Sequence, residues 1–261
     1  MGVWGAAPAD SIARSRAAAG KAIELDPNSG DGYEVLACLK ASFDHDWEGA
    51  RKDFERALAL SPGSPDIHDD YAMLYLVPRM RLKEAEAEAR RAVELDPLSL
   101  RVNTDLGSVL YFRRNYASAI AQFRQVLDLD SSFGNAAMQL FKCFLMTRQF
   151  SEARRIIEPR EKTPYPNEFA LHMGRLEALS GNRTDARRLL HLILEECAER
   201  CAITPAQIAW LQVAVGDIDG AFRSLERTSG TIMQLQVDPE LDPLRGDPRY
   251  HALVAKMHLA P

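Results

Sequence analysis

Three clusters in the 261-residue sequence carry residue types that could do chemistry. Phe43-Asp44-His45-Asp46-Trp47 sets a histidine between two carboxylates, the setting in which an imidazole can be oriented as a general base. A base also needs a nucleophile or a substrate pocket, and none is signalled nearby. The simpler expectation is that Asp46 caps a helix and Trp47 packs between helices. Cys197 and Cys201 are four residues apart on a predicted helix, with His191 shortly before them. A structural zinc site needs four ligands, and no second Cys or His pair accompanies these, so no metal is expected. Asp217-Ile218-Asp219-Gly220 opens like a calcium loop but lacks its third acidic ligand and distant glutamate, which makes it a turn and helix cap. The sequence has no Gly-rich phosphate loop, paired-histidine helix or serine elbow. No catalytic residue, metal or cofactor is assigned, and the chain is expected not to be an enzyme.

The composition narrows the remaining classes. Hydrophobic residues make up 46% and charged residues 26%, as in ordinary soluble domains, and no apolar run is long enough to span a bilayer. The net charge of −5 argues against direct nucleic-acid binding, which draws on clustered Lys and Arg. Four scattered cysteines do not make a disulfide framework, and the start Met1-Gly2-Val3-Trp4-Gly5 does not resemble a secretory signal, so a cytoplasmic location is expected.

What must position any functional side chain is a repeat. The element Leu95-Asp96-Pro97 recurs as Leu25-Asp26-Pro27, Leu60-Ser61-Pro62 and Leu129-Asp130-Ser131, at intervals of 35, 35 and 34 residues. Proline removes a backbone donor and pushes its predecessor out of the α region, so each amphipathic helix ends there and the chain turns. A period of this length marks one supersecondary unit stacked repeatedly. Small residues recur on the helix before each break, with an aromatic in two of the three: Ala50, Phe54 and Ala57, then Ala85, Ala89 and Ala92, then Ala119, Phe123 and Val126. Two units carry one extra residue, and the loop Asp44 to Trp47 is expected to take up one of them.

These spacings, with Leu36-Ala37, Tyr71-Ala72 and Leu106-Gly107 in the preceding helices, resemble the tetratricopeptide repeat (TPR) family. The match is strongest from Asp31 to Ser131 and continues more weakly to Thr228. The resemblance implies an all-α fold, a right-handed superhelical solenoid of antiparallel helix pairs with a C-terminal capping helix. Residues 1–30 would form an N-terminal half-repeat, 31–160 four helix pairs, 161–228 two degenerate pairs and 229–261 the cap. Pro159, Pro164 and Pro166 are expected to bend the array. The leading helix, Asp10 to Leu25, resembles the second half of a repeat, so the native protein is expected to extend upstream. The tail Asp238 to Tyr250, the insertion around Asp46-Trp47 and the Leu98-Ser99-Leu100 that follows Pro97 are similar to repeat modules that follow bacterial winged-helix regulators, Ser/Thr kinases and nucleotide cyclases. That similarity implies an alternative role, the regulatory part of such a protein.

In this family the first helix of each pair lines a groove that binds a peptide or partner domain. Matching positions here are Asp31, Glu34, Asp66, Asp69, Asp70 and Met73, then Arg101, Thr104, Ser108 and Tyr111, then Met138, Lys142, Leu171 and Arg175. The family's clamp for a terminal carboxylate uses Lys and Asn at positions held here by Glu34, Cys38, Asp69 and Met73, so it is not expected. The resemblance points to a non-catalytic interaction module. Its acidic first half would steer a protein segment of basic character, with Arg101, Lys142 and Arg175 further along the same surface.

Overall fold

The computed structural model describes residues 9–160, 166–196, 203–228 and 232–259. Cys197, Cys201 and Pro164 lie outside the described residues, as does the start of the chain. Among the described residues the regular structure is helical, and none of the helices is long and apolar enough to cross a membrane.

The chain divides into two compact units. Unit 1 holds α1 (Ala9–Leu25) and the pairs α2 (Gly30–Leu39) with α3 (Trp47–Leu60), α4 (Pro65–Asp70) with α5 (Leu82–Leu95), and α6 (Leu100–Phe112) with α7 (Tyr116–Leu129). Unit 2 holds α8 (Gly134–Met146) with α9 (Phe150–Ile157), α10 (Pro166–Ser180) with α11 (Arg183–Glu196), α12 (Pro205–Val215) with α13 (Ile218–Glu226), and α14 (Pro248–Lys256), which packs on α13. The sequence beyond α13 is shared: residues 232–237 and 257–259 belong to unit 1, and 238–256 to unit 2.

The recurring Leu-Asp-Pro element works through its side chains as well as its proline. Asp26 and Asp96 each accept a hydrogen bond from the backbone two residues on, Asn28 N at 2.9 Å and Leu98 N at 3.3 Å, which closes the turn. A serine then caps the next helix: Ser29 accepts from Gly32 N, Ser64 from Ile67 N and Ser99 from Val102 N. At the other end of each pair, the turn between helices passes through one left-handed residue, namely His45, Met80, Arg114, Arg148, Gly181 or Gly216. Second helices bury their small-residue faces, with Ala50, Phe54, Ala57, Ala85, Ala89, Ala92, Ala119 and Phe123 all inaccessible to solvent. Close approach explains Gly107 of α6: a Cβ there would stand 2.4 Å from the Phe123 ring.

The two extra residues are taken up differently from the expectation. First helices of both 35-residue units continue as π-helical turns, Lys40–Asp44 after α2 and Tyr71–Leu76 after α4, whereas α6 in the 34-residue unit remains regular. A turn bonded i to i+5 holds one more residue than an α turn, so the insertion lies inside the helix rather than in the loop. Asp46 still caps α3, accepting from Gly49 N at 2.9 Å, and Asp217 caps α13 through Gly220 N at 2.9 Å.

Candidate functional site

In unit 1 the first helices bring an acidic face together. Asp31 and Glu34 come from α2, Asp66, Asp69 and Asp70 from α4, and Asp105 from α6. Sequence reasoning set Arg101 apart from this strip. The structure instead folds it back: one guanidinium nitrogen bonds Asp66 and another bonds Asp69, with Asp70 at 3.3 Å. Asp69 is fully buried, and burial together with the neighbouring Asp105 carboxylate raises its pKa. Burial also raises Asp105, while Arg101 and a hydrogen bond from Asp69 work the other way. Both carboxyls are thus shifted toward the protonated form, by burial and by nearby like charge. Glu34 is pushed up to about 7 by burial and then by Asp70, Asp66 and Asp31. Cys38 donates its thiol hydrogen to Asp70 at 3.3 Å, and burial raises its pKa. Asp105 was absent from the expected set. Its position four residues after Arg101 on the same helix was the available signal, since i and i+4 share a face.

Other expected lining residues do not line an open surface. Met73, Thr104, Ser108 and Tyr111 are buried. The Thr104 and Ser108 hydroxyls donate to carbonyls one turn back, Leu100 O at 2.7 Å and Thr104 O at 3.0 Å, so their polarity is spent within α6. Tyr111 lies against Phe112 and Tyr116, its ring centroid 5.7 and 5.8 Å from theirs. Met73 sits within the π-helical turn, whose Tyr71 and Tyr75 rings stack at 5.5 Å.

The His45 cluster is structural in its contacts. Asp44 pairs with Arg16 at 2.8 Å. His45 stacks on His258 with centroids 4.5 Å apart, and burial and then the His258 charge lower its pKa. Trp47 donates its indole hydrogen to His258 O at 2.6 Å, and the Arg79 guanidinium lies 5.6 Å above its ring. Arg79 also donates to Leu259 O, Arg114 to Val237 O at 2.6 Å, and Gln236 to Pro78 O and Leu259 O. The segments 232–237 and 257–259 thus run beside the turns that close the three helix pairs of unit 1.

In unit 2 the expected basic positions are already engaged. Lys142 of α8 bonds the Asp238 carboxylate at 2.9 Å and lies 3.6 Å from Glu240. Arg175 of α10 bonds Glu240, while its guanidinium sits 5.6 Å from the Phe141 ring centroid and 3.2 Å from His172 Nδ1. Trp210 of α12 donates its indole hydrogen to Asp238 at 3.1 Å. Burial opposes ionisation of Asp238, yet Lys142 and the hydrogen bonds from Glu240 N and Trp210 outweigh it and hold the pKa low. Leu171 is buried in the core of unit 2 with Ile193, Ile208 and Leu211, and Met138 is half-buried. In the Asp217 to Gly220 stretch, Asp219 pairs with Arg249 at 2.8 Å.

No protein-family model matches the sequence, and neither does any curated protein. Solved structures do resemble the fold. A tetratricopeptide repeat protein from Parabacteroides merdae aligns with a TM-score of 0.69 at 13% identity, over 95% of this chain and 93% of that one. Pseudomonas aeruginosa PilF aligns at 0.56 and 21%, over 87% and 97%. YrrB, a TPR protein with an unusual peptide-binding site, aligns at 0.52 and 22%, over 70% and 94%. Together with the repeating helix pairs, these likenesses identify the fold as an all-α tetratricopeptide-type solenoid of antiparallel helix pairs.

Proposed function

We propose that this chain is a non-catalytic protein-interaction module, and that unit 1 docks a protein segment carrying basic side chains on the acidic face of α2, α4 and α6. The observation that carries this reading is the convergence of Asp31, Glu34, Asp66, Asp69, Asp70 and Asp105, from three successive first helices, around Arg101. One guanidinium offsets only part of that charge. A lysine or arginine from a partner would gain from the remaining field, most at Asp31 and Asp66, which are exposed. The peptide-binding site of the similar YrrB supports a role in binding protein segments for a chain of this fold.

The test uses exposed positions, because reversing the buried Asp69 would damage the fold itself. Chemical cross-linking in cells, followed by mass spectrometry, should recover a partner through a segment rich in Lys or Arg with wild type and lose it with D31K/D66K. Binding of the purified pair should weaken as salt rises, since much of the attraction is between exposed charges. Equal capture by the variant, with its helical signal intact, would refute this reading.

A further inference from the structure

In unit 2 the chain's own sequence after α13 lies against basic side chains of the first helices. Pro239–Leu244 forms a short 3-10 helix seated on α12, capped by Asp238, which accepts from Glu240 N at 3.0 Å. The Asp238 and Glu240 carboxylates meet side chains from three successive first helices: Lys142 from α8, Arg175 from α10 and Trp210 from α12. Leu241 and Leu244, on the same segment, are buried completely. The contacts have the form of a peptide held by a repeat protein, with charged anchors read by successive helices and apolar side chains set beside them.

Asp238, Glu240 and Arg175 are all buried, and a buried ion cluster adds little stability compared with apolar side chains of the same volume, while it rejects any segment lacking the matching charges. Arg175 is held in place before any carboxylate is considered, by Phe141 beneath its guanidinium and by His172 beside it. Its Nε has no hydrogen-bond partner, so the guanidinium is not saturated by its resident carboxylate.

We propose that Lys142, Arg175 and Trp210 form an acceptor for acidic segments bearing two carboxylates two residues apart and followed by leucine, and that Asp238–Leu244 is its tethered resident ligand. A partner segment of the same pattern binds only by displacing the resident. A tethered ligand acts at a high effective concentration, so the site in the intact chain is held closed against weak competitors. This site is distinct from the acidic face of unit 1 and does not depend on the function proposed for that face.

The probe is a dye-labelled peptide spanning Gln236 to Gly246, titrated into the full-length chain by fluorescence anisotropy. The D238N/E240Q chain, whose resident segment has lost the two carboxylates that meet Lys142 and Arg175, should bind the peptide about tenfold or more tightly than wild type does. Adding K142E and R175E should abolish that gain, and a peptide carrying the same Asn and Gln replacements should not bind. D238K/E240K, which repels the resident outright, should bind the acidic peptide at least as well as D238N/E240Q. Equal binding by wild type and both released variants would overturn the proposal, as would no binding by any of them. Loss of the helical circular dichroism signal in D238N/E240Q would overturn it too, by showing the segment to be part of the fold rather than a ligand.

Discussion

Glu34 makes the acidic face measurable through pH. Its carboxyl rises from 4.5 to about 7 in the folded chain, so between those values the folded state binds more protons than the unfolded one. The contribution to stability is fully present below pH 4.5 and is lost as pH rises through 7. Replacing Glu34 with Gln, which cannot ionise, should flatten the melting temperature across that window and raise it at pH 8, as thermal unfolding over a pH series would show. Packing offers a second residue-scale test. Gly107→Ala forces a methyl into the Phe123 ring at 2.4 Å, and overpacking of this kind should cost about 1–3 kcal/mol in chemical denaturation. Gly107 was legible in the sequence through Leu106-Gly107, because a repeated small residue signals close approach. The burial of Thr104 and Ser108 was not legible. A hydroxyl that bonds its own helix looks the same in sequence as one that faces solvent, and only the fold distinguishes them.

At the scale of elements, the helix breaks were readable and their caps were only half read. Leu-Asp-Pro showed where helices end, but Ser29, Ser64 and Ser99, one repeat apart, set where the next ones begin. Replacing any one with Ala removes an acceptor for an otherwise unpaired helix N–H and should cost about 1 kcal/mol. The three losses should add nearly independently in urea denaturation, because the caps share no partner. The π-helical turns were hidden for a different reason. A one-residue excess in the repeat length says that something is inserted, while helix propensity does not say whether a loop or a helix absorbs it. Tyr71 and Tyr75 are stacked within the second turn, both near Phe54, so the inserted residue there belongs to a stretch that packs an aromatic cluster.

For the whole molecule, the sequence after Thr228 was expected to cover the end of the array. α14 does pack on α13, while residues on either side of it lie along unit 1 and residues 238–244 along α12. Truncation after Gly246 would remove the buried Tyr250, Leu253 and Val254 from unit 2 and Met257 and Leu259 from unit 1. Each leucine alone accounts for about 2 kcal/mol of apolar burial. The truncated chain should therefore melt well below wild type and aggregate sooner, and an unchanged melting curve with a monomeric elution profile would refute this. Periodicity could not reveal these placements, because the segment has left the repeat and its partners lie far away in sequence.

Those distant partners alter how the chain comes to be folded. A repeat array ordinarily assembles from neighbours and can begin stacking while it is still being made. Unit 1 cannot finish that way. Trp47 waits for His258, 211 residues later, and Arg79 waits for Leu259, 180 residues later. Long-range closures of this kind slow folding, and a chain emerging from the ribosome would carry its first three helix pairs without their edge contacts until nearly all of residues 9–259 had been synthesised.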